Sequence, residues 1–257
     1  MTPMSSKRRT VFWDIHSRLP REGPGNREST ARALRLAVPL PKNPRVLDIA
    51  CGPGMQTLDL VQLLTGATIV AVDRHWPFVK ETNRRATSSG LADRVKAAAA
   101  DMRALPFPST TFDLMWCEGA AYMMGLGAAL EHWRPMLRPG GKLAVSEPIW
   151  LRSDLPDEVR AIWLDDYPGM GTIESCRALV REYGYRLLGD FVLSDAAWWE
   201  YYEPLRQRLR LLDRKYAGDD QAAAVLQEAV REIGYYEEFS SYCGYLFLVM
   251  APDMSPT

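Results

Sequence analysis

Arg45-Val46-Leu47-Asp48-Ile49-Ala50-Cys51-Gly52-Pro53-Gly54-Met55-Gln56-Thr57 decides the fold of this 257-residue chain. Residues 46–49 form a short apolar strand, and residues 57–64 have the spacing of an amphipathic helix. Between them stand Gly52 and Gly54, where a backbone without Cβ turns tightly and approaches a ligand closely. The N–H groups that open the following helix point at the same spot and favour a polar or anionic group. This is a strand–glycine turn–helix unit, the first βα turn of a parallel nucleotide-binding sheet.

Working outward, residues 67–73 read as a second, buried strand ending in Asp73, about 20 residues beyond the glycine turn. A carboxylate there accepts hydrogen bonds from both hydroxyls of a ribose. Pro77 opens a helix to about residue 89, and Gly90 stops it. Residues 94–99 are expected as strand three, with Asp101 and Met102 directly after it. Residues 112–117 are strand four, followed by Glu118-Gly119-Ala120-Ala121-Tyr122. Leu137-Arg138-Pro139-Gly140-Gly141 leads into strand five, residues 143–147, which ends in Glu147.

The dinucleotide fingerprint needs a third glycine where Thr57 stands. The pattern Asp48-x-Ala50-x-Gly52-x-Gly54, with Asp73, Asp101-Met102 and the Leu137-x-Pro139-Gly140-Gly141 turn in order, resembles the class I S-adenosylmethionine (SAM) methyltransferases. The resemblance covers residues 46–147 by motif and the rest by order of elements. It implies a Rossmann-like α/β fold with a seven-stranded, mostly parallel sheet of order 3-2-1-4-5-7-6, the last strand antiparallel. It also implies SAM as cofactor, with the glycine loop at its methionine end, Asp73 at its ribose and Asp101-Met102 at its adenine. The cofactor-binding set it suggests is Asp48, Ala50, Gly52, Gly54, Gln56, Asp73, Arg74, Asp101, Met102, Cys117 and Glu118. The whole chain is similar to a bacterial, small-molecule group of the methyltransferase type 11/25 kind, through Leu19-Pro20-Arg21-Glu22-Gly23-Pro24-Gly25 and an aromatic stretch after strand six. That group adds architecture rather than a substrate.

Upstream, residues 1–10 read as disordered and residues 11–19 as a short helix, because Val11, Phe12, Ile15 and Leu19 share a face. Ser29 or Thr30 is expected to cap a helix ending near Val38. Residues 11–40 thus form an N-terminal cap on a single domain, and Arg21 is placed to meet a carboxylate, that of the cofactor's methionine moiety included. The alternative is a packing helix far from the cleft with Arg21 in solvent.

Downstream, residues 172–183 read as a helix, residues 185–193 as strand six and residues 242–250 as strand seven. Residues 194–241, between the last two strands, are expected as a helical lid with helices at about 205–216 and 219–233. Trp150, Trp163, Tyr167, Trp198, Trp199, Tyr201 and Tyr202 concentrate outside the sheet strands, as core or as the lining of an acceptor pocket. Rings beside Glu118, Glu147, Asp165 or Asp166 suit an amine or another cation.

Methyl transfer from a sulfonium needs positioning and exclusion of water, and a base only where the acceptor carries a proton. Glu118, Glu147 and Tyr122 are the catalytic candidates. The expected function is methyl transfer to nitrogen or oxygen of a small molecule, an amine among the options. The alternatives are a SAM-binding protein without turnover and, on the glycine turn alone, an NAD-dependent oxidoreductase.

Composition bounds the partners. The net charge is -1 and the pI about 6.3, which argues against a nucleic-acid partner. The four cysteines are scattered without a CxxC pair and only three histidines occur, so no disulfide framework or metal site is expected. No apolar run reaches membrane-spanning length and no secretory signal is visible, so a cytoplasmic monomer or homodimer is the expectation.

Overall fold

The computed structural model describes residues 5–164 and 167–253. Its centre is a parallel sheet built from β1 (Arg45–Ile49), β2 (Thr68–Asp73), β3 (Val95–Ala99), β4 (Phe112–Glu118) and β5 (Leu137–Trp150), closed by β7 (Tyr185–Val192) and an antiparallel β8 (Cys243–Pro252). The order is β3-β2-β1-β4-β5-β8-β7. This is the expected order once a two-residue strand, β6 (Gly171–Thr172), is counted on the end of β5. The seven long strands therefore become eight, because Gly171 and Thr172 pair with Ile149 and Trp150.

Helices α3 (Met55–Leu63), α4 (Trp76–Ser88), α5 (Leu126–Trp133) and α7 (Ile173–Glu182) follow β1, β2, β4 and β6. A short α6 (Asp157–Leu164) precedes β6. The central strands are buried on both faces, as their continuous apolar runs require. Two apolar cores result. One holds Val46, Leu114, Trp116 and Phe247 with the N- and C-terminal helices. The other holds Leu47, Met115, Trp133 and Tyr185.

The N-terminal elements start earlier than expected. Helix α1 spans Ser6–His16, reaching into residues 1–10 for which the sequence predicts disorder; Ser5 caps it by accepting from the Arg8 N–H. Lys7 and Arg8 pair with Asp219 and Glu228 of a neighbouring helix, contacts that local sequence does not announce. Helix α2 spans Arg27–Leu36, and its cap is Asn26 rather than Ser29 or Thr30. Asn26 and Ser29 exchange hydrogen bonds in a reciprocal box that satisfies two orphan helix donors.

The segment after β7 is helical throughout, in two helices, α8 (Asp195–Lys215) and α9 (Asp220–Phe239). Helix α8 begins ten residues ahead of the expected one and runs through Pro204. An internal proline costs about 3 kcal/mol. Trp198, Tyr201, Tyr202, Leu205, Leu209 and Leu212 all bury on one face of the helix. At about 1.5–3 kcal/mol for each large apolar side chain, that face outweighs the proline.

Candidate functional site

The C-terminal ends of β1, β2, β3 and β4 open onto a cleft of about 470 Å³. Gly52 lines its floor, and Gly52 and Gly54 turn the loop there with positive φ of 52° and 87°, a backbone that L side chains avoid. A Cβ on Gly54 would lie 2.5 Å from Thr82 Oγ1, so the loop packs directly on α4. Thr57, at the third-glycine position, turns its hydroxyl inward and donates to Asp48 Oδ2 at 2.5 Å. That position is filled by a side chain bonded to β1, which a pyrophosphate-binding fingerprint does not allow.

Asp73 receives the backbone N–H of Gly52 at 2.9 Å and that of His75 at 2.7 Å, so both carboxylate oxygens are oriented at the rim of the cleft. Burial, opposed by these two donors, raises its pKa. Ala50, Gly52, Gln56, Asp73, Arg74, Asp101, Met102, Glu118 and Arg21 line the cleft together. Asp101 is held ionised by Arg103, whose guanidinium lies 2.6 Å away. Asp48, Gly54 and Cys117 are not on the cleft wall. Asp48 lies wholly beneath the loop, where burial pushes its carboxyl up to about 8 and Oδ1 has no partner. Its place is one of support through Thr57, not of contact at the surface.

The loop after α1 crosses the cleft mouth. Trp13, Arg21, Glu22, Gly23 and Pro24 all line it, so the reading with Arg21 in solvent does not hold. Trp13 stacks on His75 with ring centroids 3.5 Å apart, and Phe78 meets both edge-on. Arg21 finds its carboxylate within the chain: its Nη2 donates to Glu118 Oε2 at 2.6 Å, both side chains 5% exposed. Trp116 Nε1 and Thr30 Oγ1 donate to Glu118 Oε1. Arg21 Nε keeps no partner.

Strand β5 runs three residues past Glu147, its expected end, because Pro148, Ile149 and Trp150 pair with β8, and Glu147 is not in the cleft lining. It is fully buried, and Tyr167 donates to its Oε1 at 2.6 Å. The Tyr122 ring lies 5.5 Å from that of Tyr167. The aromatic residues of α8 do not line the cleft. Trp198 stacks on Tyr236 at 4.3 Å and meets Tyr245 at 5.4 Å, which makes them packing between α8, α9 and β8. The expected pocket-facing cluster is thus core, because these rings alternate with polar residues at helical spacing and fill the space above β8. Asp165 and Asp166 lie outside the described residues, as does the side chain of Trp163.

Sequence reasoning overlooked Trp13, Glu22, Phe78 and Met123 on the cleft wall. Glu22 carries the clearest missed signal, an acid one residue after Arg21 in a Gly-Pro-Gly loop; its Oε2 pairs with His16 Nδ1 at 2.6 Å. Among the described residues no cluster of three or more metal-ligating side chains occurs, and no helix is long and apolar enough to cross a membrane.

An open α/β sheet with a glycine turn after β1 and an acid closing β2 defines a Rossmann-like nucleotide-cofactor protein, and the β5-β8-β7 closure gives it the class I methyltransferase fold. Residues 46–141 match a family model described as a methyltransferase domain. Sterol 24-C-methyltransferase ERG6B of Gibberella zeae is 29% identical over 178 residues, covering 65% of this chain and 46% of that protein. Malonyl-[acyl-carrier protein] O-methyltransferase of Enterobacter lignolyticus is 31% identical over 153 residues, covering 58% of this chain and 57% of its own length. The chain spans about half the length of such curated relatives. A SAM-dependent methyltransferase of Geobacter sulfurreducens, solved with S-adenosylhomocysteine, superposes with a TM-score of 0.80 at 22% identity, covering 98% of this chain and all of that one.

Proposed function

We propose that this protein binds SAM in the cleft and transfers its methyl group to nitrogen or oxygen of a small molecule. The observation that carries the reading is the pair of oriented features at the ends of β1 and β2: a glycine loop with positive φ, and Asp73 held by two backbone N–H groups beside it. The cleft volume suits a nucleoside-sized ligand. In this reading Asp73 accepts from the ribose hydroxyls. Asp101 and the Met102 backbone face the adenine. Arg21, with a donor to spare at Nε, sits by the α-carboxylate. The cofactor supplies an activated methyl group. The chain supplies alignment and a cover, made by the 17–26 loop and Trp13 over the cleft.

Glu118 fits this reading as an anchor of the cover, because Arg21, Trp116 and Thr30 already use its oxygens. Calorimetric titration tests the cofactor. SAM is expected to bind and NAD is not; NAD binding more tightly than SAM would overturn the assignment. Release of S-adenosylhomocysteine with an acceptor separates an enzyme from a SAM-binding protein without turnover. The Gibberella and Enterobacter relatives are named for methylation at carbon and oxygen, so their likeness leaves the acceptor atom open.

A further inference from the structure

Glu147 is a buried carboxyl that the fold leaves half-finished. Its Oε1 accepts from Tyr167, and its Oε2 is buried with no partner. Among the described residues it forms no ion pair, whereas Glu118 on the adjacent strand has Arg21. Leaving a buried carboxylate oxygen unsatisfied costs about 1–3 kcal/mol or more, so such an atom in an otherwise well-bonded strand calls for an external donor.

The surroundings say what kind. Tyr167 and Tyr122 are half-buried, and the Tyr122 ring packs 5.5 Å from the Tyr167 ring whose hydroxyl reaches Glu147. Tyr245, on the neighbouring strand β8, is buried and pairs with Pro148, the residue after Glu147. Aromatic faces together with an uncompensated carboxylate form a site for a positive charge. The site also adjoins the cofactor cleft. Ser146, the residue before Glu147, accepts the Gly119 N–H at 2.8 Å through its Oγ. Gly119, Ala120 and Met123, which flank Tyr122, line the cleft.

We infer that Glu147, with Tyr122 and Tyr167, forms the acceptor site, that the acceptor is a small alkylamine, and that Glu147 is its general base. This rests on the SAM reading above. The ammonium form of the amine donates to Glu147 Oε2 and packs against the tyrosine faces. One N–H proton passes to Oε2. The freed nitrogen lone pair then forms the N–C bond as the S–C bond breaks, its electron pair going to sulfur. An ammonium, a carboxylate and a sulfonium become an N-methylammonium, a carboxylic acid and a neutral thioether, so charge and atoms balance. Burial pushes the Glu147 carboxyl up to about 7, near the value at which a base serves best at neutral pH. The titratable groups around it are Tyr167, Tyr122, Tyr245, Cys117 and Cys176.

The test uses the full chain, SAM, and unbranched primary amines from methylamine to hexylamine against the alcohols of equal chain length. Amines are expected to yield S-adenosylhomocysteine and alcohols none. Glu147→Gln is expected to lower kcat/KM for the best amine by about 10²- to 10⁴-fold while leaving SAM affinity within about 2-fold. Tyr167→Phe is expected to move the acid limb of the rate profile to higher pH, because its hydroxyl favours the ionised carboxyl. Thermal shift of the S-adenosylhomocysteine-loaded protein with each amine gives a readout without turnover. Alcohols matching amines, no response to any amine in either assay, or full activity in Glu147→Gln would each overturn the inference. In those cases SAM binding by calorimetry would still stand, and its absence alone would sink the cofactor reading instead.

Discussion

Glu118, the last residue of β4, and Glu147, on the neighbouring β5 one residue past its register partner, are both buried, and the fold treats them in opposite ways. Around Glu118 converge Arg21 from the N-terminal loop, Thr30 from α2 and Trp116 from its own strand. Glu147 receives one tyrosine hydroxyl and keeps an oxygen unpartnered. A carboxylate bonded by its own chain is part of the scaffold. One left short of a donor is set aside for something that arrives. The same residue type on neighbouring strands thus does two jobs, and the difference lies in what distant segments bring.

The largest expected effect tests the scaffold side. Glu118→Ala leaves the Arg21 guanidinium buried without its partner, and breaking such a pair by one side costs about 3–5 kcal/mol. Urea denaturation should show this loss, and Arg21→Ala should cost a similar amount. Near-neutral values would mean that the pair opens to solvent. The same pair revises how the cover can be tested. Deleting residues 1–25 removes Arg21 as well, so the truncated chain is expected to lose stability along with any cover. Trp13→Ala, which removes the ring contacts with His75 and Phe78 but leaves the Arg21–Glu118 pair in place, is the cleaner probe.

How far the sequence foretold these partners depends on their range. The β1–glycine turn–α3 unit was legible because strand, turn and helix are contiguous, and so were Asp73 and Asp101 at strand ends. The sheet order came from the family resemblance that those motifs carry, since periodicity alone places strands but does not order them. The Arg21–Glu118 pair spans 97 positions, and neither residue's neighbours announce the other. Tyr167 reaching Glu147 is likewise a product of the chain's return after β5. Pro204 misled because its local penalty is plain in the sequence, while the burial that outweighs it depends on α9 and β8.

The next effect concerns pH. Burial pushes the Glu147 carboxyl up from 4.5 to about 7, which corresponds to about 3 kcal/mol. A raised carboxyl binds its proton more tightly in the folded state. Its contribution to stability is therefore present below about pH 4.5 and falls as pH rises to about 7. Glu147→Gln should flatten that decline. An unchanged slope would mean that Glu147 ionises freely.

Asp73 provides a third carboxyl, one oriented by backbone N–H groups alone. Asp73→Ala should cost about 1.5–3 kcal/mol of SAM affinity by calorimetry, since charged hydrogen bonds are lost. Unchanged affinity in a folded variant would move the ribose elsewhere. The smallest effect belongs to Asp48. Thr57→Val removes a hydroxyl donor from it and should cost about 1 kcal/mol of stability, with Asp48 rising further above about 8. A fully stable variant would show that the bond is incidental.

The contrast between the two glutamates comes down to one paired measurement: urea denaturation of Glu118→Gln and Glu147→Gln beside the parent protein at pH 8. Glu118→Gln takes the charge from the Arg21 pair and should destabilise the fold. Glu147→Gln removes a buried charge without a counter-ion, keeps an acceptor for Tyr167 and should stabilise it by about 1–3 kcal/mol. Shifts of opposite sign are the predicted result; two destabilisations of equal size would contradict the division of roles between Glu118 and Glu147.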